Sequence, residues 1–184
     1  LRIIVRILLA ITSTVMIRAD VADLMYEARH GDAQAQYLLG CAWIHGDIDG
    51  SSDLNEAMVC LRQSSEQDNA SAQGLLGFLL LETGVTDEDL TEAVAFMQKA
   101  AEGGCPLGLT GLGLVYLNGW GVERDPEAAF DYFKQAAEKG DPLGQFGFSQ
   151  LLEYGVGSEA DPAEANRWLE TASQHRFDPA ETDL

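Results

Sequence analysis

The residues with the most chemical potential stand close together early in the chain. Cys41 and His45 lie four apart, the spacing of one helix face, and Asp47 and Asp49 follow directly. Thiolate and imidazole are good zinc ligands, but even an open catalytic site needs three protein ligands in fixed geometry. Two strong ligands trailed by turn carboxylates fall short, so the pair reads as a thiol on a packed helix with a histidine at its end. The same stretch, Asp47-Ile48-Asp49-Gly50-Ser51-Ser52-Asp53, resembles a calcium loop, yet its glycine follows two acids where an EF-hand has three. A polar turn leading into a helix cap accounts for it. Gly111-Leu112-Gly113 opens like a dinucleotide motif but lacks the third glycine and falls inside a helical stretch. A hydrolase would require a nucleophile that the spacing does not locate, with Ser149 and Cys41 the positions whose substitution would test it. His30 and His175 stand alone near opposite ends. No cofactor and no metal are expected.

The elements that position these residues follow from a fixed period. Asp53, Asp89, Asp125 and Asp161 are each 36 apart, and so are Ala57, Ala93, Ala129 and Ala165. Leu39-Gly40, Leu76-Gly77 and Leu112-Gly113 recur at nearly the same interval, with Phe146-Gly147 after them. One register held by several residue types marks a solenoid. Each unit reads as helix, loop, helix. The aspartates cap the second helices, with Glu56, Glu92 and Glu164 three residues later as capping boxes, and Pro126 and Pro162 sit at the first helical position. Inside those helices Ala57, Cys60, Leu61 and Ser64 fall on one stripe, as do Ala93, Phe96, Met97 and Ala100, and Ala129, Tyr132, Phe133 and Ala136. Gly104, Gly140 and the pair Asp68-Asn69 end second helices through left-handed turns, and Pro106 and Pro142 open the next first helices. The predicted fold is all-α, a right-handed α-solenoid of about four 36-residue helix-turn-helix repeats.

The third copy carries a resemblance in its details. Gly119-Trp120-Gly121-Val122, then Asp125, then Lys134-Gln135-Ala136-Ala137-Glu138-Lys139-Gly140 make this unit similar to the Sel-1-like repeat, a relative of the tetratricopeptide repeat. The resemblance runs over residues 22–177, a half-repeat followed by four units. It implies an adaptor fold working through protein contacts, and cysteine-rich relatives bring the alternative of a weak hydrolase. The chain departs from the family pattern in three ways. The first and second loops lack the Gly-x-Gly-Val core, Glu56, Glu92 and Glu164 replace the family's lysine, and Cys105 has Ala101 where a paired cysteine would stand. Disulfides are therefore not carried over.

Charge and composition narrow the partner. The chain holds 30 acidic against 11 basic Lys and Arg residues, and three of the basic ones, Arg2, Arg6 and Arg18, precede the first acid at Asp20. A surface this negative repels nucleic acid and anionic lipid, leaving a protein or peptide with basic and apolar segments. Residues 1–19 combine early arginines, an uncharged run from Ile7 to Ile17, and Ile17 and Ala19 before Asp20, the build of a signal peptide. That start places the protein in the secretory pathway, periplasm or endoplasmic reticulum lumen; without it the expectation is cytoplasmic. Residues 20–177 form the solenoid and 178–184 a polar tail, read as a soluble outer end; a segment of a larger array is the other structural reading. The first helices carry more apolar residues than one buried face requires, which predicts an apolar groove on the concave side. Its candidate protein-binding residues are Gln36, Tyr37, Phe78, Leu79, Val115 and Phe148, with Trp120 as an anchor between two loop glycines. Trp43, Tyr116 and Tyr154 are expected in the core.

Overall fold

A computed structural model describes residues 21–48, 50–84 and 86–175. The signal-like start, the polar tail and Asp49 lie outside the described residues. Among the described residues nine helices follow one another: α1 (Val21–Arg29), α2 (Ala33–His45), α3 (Leu54–Ser65), α4 (Ala70–Thr83), α5 (Asp87–Glu102), α6 (Pro106–Asn118), α7 (Pro126–Glu138), α8 (Pro142–Tyr154) and α9 (Pro162–His175). Each packs against its successor, and the first helices also touch one another, α4 against α6 and α6 against α8. The result is an α-helical solenoid of four helix pairs, with α1 laid against the first pair. No described helix is long and apolar enough to cross a membrane.

Three of the four predicted aspartate caps stand where the sequence put them. Asp53 accepts from the Asn55 and Glu56 amides, Asp125 from those of Glu127 and Ala128, and Asp161 from Glu164. The fourth is displaced. In α5 the cap is Thr86, and Asp89 is the third helical residue of a reciprocal capping box. Glu92, freed from capping, reaches α3 and pairs with Arg62 at 2.5 Å. Among the helix ends, Gly46, Gly119 and Gly155 share a left-handed turn, whereas Gly84 is extended, so the second loop is the one that differs. Asp68 takes the left-handed conformation at φ 58°, doing for α3 what Gly104 and Gly140 do for α5 and α7.

The stripes on the second helices are buried as the spacing predicts, except that Phe96 and Tyr132 are half-buried. Two of these residues join neighbouring repeats. Met97 packs on Gly77 of its own first helix and on Gly111 of the next, and Phe133 does the same with Gly113 and Gly147. Alanines sit beside them: a methyl added at Gly108 would stand 2.7 Å from Ala100 Cβ, and one at Gly144 would stand 2.5 Å from Ala136 Cβ. The glycines of the first helices are there because the following repeat must come this close.

Candidate functional site

The predicted groove does not open. Phe78, Leu79, Val115 and Phe148 are 3%, 1%, 0% and 2% exposed, so the apolar excess of the first helices is core. The reason is geometric. The inner first helices α4 and α6 are each held between their own second helix, the preceding second helix and a neighbouring first helix, and a helix apolar all round is one buried all round. Phe148 shows this directly, with its ring between Phe130 at 5.1 Å and Trp168 at 5.6 Å.

Gln36 is also corrected, from surface contact to internal brace. It is 6% exposed, donates to the Ala28 carbonyl at 3.2 Å, and accepts from Gln67 at 2.8 Å. Gln73 and Gln145 repeat the device on the carbonyls of Ser65 and Ala137, each eight residues upstream. Each adds a second hydrogen bond to a carbonyl at the end of the preceding helix, which also accepts from the backbone amide of Gly31, Asp68 or Gly140. The third repeat has Leu109 there. Beside it, Thr110 donates to Asp141, whose carboxylate also accepts from the Gly144 amide at 2.7 Å. Burial raises the Asp141 pKa, and those two hydrogen bonds hold the rise in check. The raised pKa means the folded state takes up this proton more readily than the unfolded chain does. Its contribution to stability is therefore full at acid pH and is lost as pH rises from the ordinary aspartate value, about 4, through the folded one. Asp141→Asn keeps a competent cap. Paired urea titrations from pH 3 to 7 should show the parent losing stability relative to this variant as pH rises; parallel curves would contradict the assignment.

Tyr37 and Trp120 are half-buried and pack against the core. Trp43 and Tyr116 are half-buried as well, Tyr116 stacking on Tyr132 at 5.4 Å. Tyr154, expected in the core, is 70% exposed.

The candidate nucleophiles are enclosed. Cys41 is 2% exposed beside the Tyr37 hydroxyl, and burial pushes its thiol up to about 12, so it is protonated at neutral pH. Burial likewise raises Tyr37, and it lowers His45, with Asp47 opposing. Ser149 is 1% exposed and donates to the Phe146 carbonyl at 2.7 Å. Among the described residues no three His, Cys, Asp or Glu side chains gather closely enough to hold a metal ion, and Cys41, Cys60 and Cys105 are free thiols.

What is exposed and apolar lies elsewhere. Tyr26 on α1 is 59% exposed, Val59 on α3 50%, Phe146 and Tyr154 on α8 49% and 70%, and Leu169 on α9 40%. The sequence placed Tyr154 in the core and singled out neither Phe146 nor Leu169 as exposed, although Leu169 shares a register with Leu61, Met97 and Phe133.

The repeat geometry matches a known family. The family model for the Sel1 repeat fits four consecutive segments, residues 33–69, 70–105, 106–141 and 142–176. The chain belongs to the Sel1 repeat family. Solved Sel1 structures resemble this member closely. A Sel1 repeat protein from Oxalobacter formigenes is 30% identical with a TM-score of 0.73, over 83% of this chain and 60% of that one. A protective antigen of uropathogenic Escherichia coli displaying the same repeat fold is 30% identical with a TM-score of 0.71, over 86% of this chain and 34% of that one. A Sel1 repeat protein from Klebsiella pneumoniae, 21% identical with a TM-score of 0.69, shares the fold over 85% of this chain and 74% of that one. This Sel1 chain thus spans 60% and 34% of the first two relatives. No curated protein matches it. Sel1 repeat proteins are generally protein-interaction scaffolds and typically non-catalytic.

Proposed function

We propose that this chain is a non-enzymatic scaffold for a protein or peptide carrying basic and apolar segments. The observation that supports it is the division between core and surface. Phe78, Leu79, Val115 and Phe148 of the first helices are closed to solvent, while the chain as a whole carries a formal net charge of −19. What such a surface offers a partner is chiefly negative charge on a rigid frame, which speeds the approach of basic chains and disfavours acidic ones. The most concentrated acid on one helix lies at the start of α5, where Asp87, Glu88 and Glu92 line an open depression with Thr91 and Ala95. Glu92 is held below the usual carboxylate range by its hydrogen bonds to Arg62, so it remains ionised there.

The test compares one apolar peptide sequence flanked by lysines, by glutamines or by glutamates, binding to the full chain and to an Asp87→Lys, Glu88→Lys variant. The lysine version should bind at least tenfold better than the glutamate version. Salt should narrow the gap, since the screening length is about 10 Å at 0.1 M. The variant should lose most of the preference. Equal binding of all three peptides would reject the basic partner.

A further inference from the structure

Asn55, Asn69, Asn118 and Asn166 are the asparagines of the chain, and Asn118 alone is followed by glycine. That pair has a chemistry of its own. The main-chain nitrogen after an asparagine can attack the side-chain amide, and glycine, with no Cβ, hinders the approach least. Asn118 is the exposed last residue of α6, and Gly119 follows it in a left-handed turn at φ 73°.

The third loop, residues 119–125, folds back on the last carbonyls of α6 like a clasp. The Gly119 and Trp120 amides both donate to the Val115 carbonyl, at 2.8 and 3.1 Å, and the Asp125 amide donates to that of Tyr116 at 2.9 Å. Arg124 Nε donates to the Leu117 carbonyl at 2.9 Å, and the Asn118 side-chain amide to the Leu114 carbonyl at 2.8 Å. Both reacting groups are thus engaged elsewhere. The Gly119 N–H is spent on a bond back into the helix, and the Asn118 amide is tethered one turn earlier. Closing a five-membered ring between them requires Asn118 to leave the helical backbone conformation.

We propose that Asn118-Gly119 is a deamidation site gated by this clasp, protected while the loop is seated and reactive when the loop lifts from α6. In the open form the Gly119 nitrogen bonds to Asn118 Cγ, the Cγ–Nδ2 bond breaks, and the Gly119 amide proton leaves with Nδ2 as ammonia. Water then opens the succinimide. Cutting the new bond to Cγ gives aspartate, and cutting the bond to the main-chain carbonyl gives isoaspartate. One water enters for each ammonia lost, and no oxidant is needed.

The product does not refit the clasp. It replaces the donor to Leu114 with a carboxylate at a helix C-terminus, where the partial charge is already negative. Isoaspartate also lengthens the main chain by a methylene just before Gly121, which approaches α5 so closely that an added Cβ would stand 3.2 Å from Leu90. Trp120, in the same turn, packs against the main core cluster. Modification therefore loosens the seam between the second and third repeats. The other first helices end in His45-Gly46, Thr83-Gly84 and Tyr154-Gly155, pairs without the amide, so the site belongs to the third repeat alone.

The full chain is incubated at neutral pH, folded and in parallel unfolded in guanidinium, and followed by peptide mass mapping and enzymatic methylation of isoaspartyl carboxylates. The unfolded chain should accumulate product at position 118 at least about tenfold faster, because the folded rate is scaled by the fraction of time the clasp is open. Arg124→Ala removes one bond of the clasp from an exposed side chain. It should raise the folded rate severalfold and leave the unfolded rate and the thermal midpoint unchanged. If the midpoint falls, hydrogen exchange decides: faster exchange at the Gly119 amide alone supports the gate, and equal acceleration at Met97 counts against it. Asn118→Gln should abolish the product in both states. Equal folded and unfolded rates, no product even in the unfolded chain, or a folded rate that Arg124→Ala leaves unchanged would each overturn the proposal.

Discussion

Phe78→Glu combined with Val115→Glu is expected to abolish the cooperative far-UV transition at 25 °C. Both positions are closed to solvent, 3% and 0% exposed, and both side chains belong to the main core cluster with Leu75, Leu76 and Met97. A carboxylate there must either stay ionised without a partner or take up a proton, and both routes penalise the folded state by several kcal/mol. Two such penalties match or exceed the 5–15 kcal/mol that typically separates folded from unfolded chains. Were these residues the lining of an open groove, the double variant would keep its helicity and lose only binding. Tyr154→Glu is the matched control, because its side chain is 70% exposed and a charge there should shift stability by no more than about 0.5 kcal/mol. Circular dichroism with thermal and urea melts of the three proteins decides between core and groove.

How far the sequence carries depends on which interactions are local. Asp53, Asp125 and Asp161 were readable as caps because a cap is made within three residues of itself. Asp89 broke the pattern although it keeps the 36-residue register. The second loop lacks the left-handed glycine of the others, and Thr86, three residues earlier, takes the capping role with Asp89 as its reciprocal partner. That Thr-x-x-Asp signature was itself visible, and the longer period concealed it. Gln36 misled for the opposite reason. Its polarity suggests surface, but its partners are the Ala28 carbonyl eight residues back and Gln67 in the following helix, contacts that exist only once the repeat has folded. The recurrence of glutamine at 36, 73 and 145 was the available signal for a repeated internal bond.

The groove is the instructive case. Periodicity reports how many faces of a helix are apolar, not what covers them, so a helix sandwiched by neighbours and a helix lining a groove present the same pattern. The burial of Phe78, Leu79, Val115 and Phe148 resolves it. Inner positions of the row are covered, and the same positions in the last repeat, Phe146 and Leu169, are exposed.

Phe133→Ala tests whether the array behaves as linked nearest neighbours. The ring is 2% exposed and fills the space between Gly113 on its own first helix and Gly147 on the next, so its removal leaves a void at two contacts at once. Neither glycine has a side chain that could move in, which puts the loss near the upper end of the 3–5 kcal/mol usual for a buried phenylalanine. In a globular core that loss would be shared by the whole domain. In a stack where each repeat touches only its neighbours, it falls on the junction of the third and fourth repeats. The α8–α9 pair should then unfold at lower urea than α1–α7, splitting one transition into two. Hydrogen exchange should show protection falling first in residues 142–175 while Leu61, Leu76 and Met97 remain in a protected core. A single transition, merely shifted to lower urea with uniform loss of protection, would mean that the four repeats fold as one cooperative unit and that coupling extends beyond adjacent pairs.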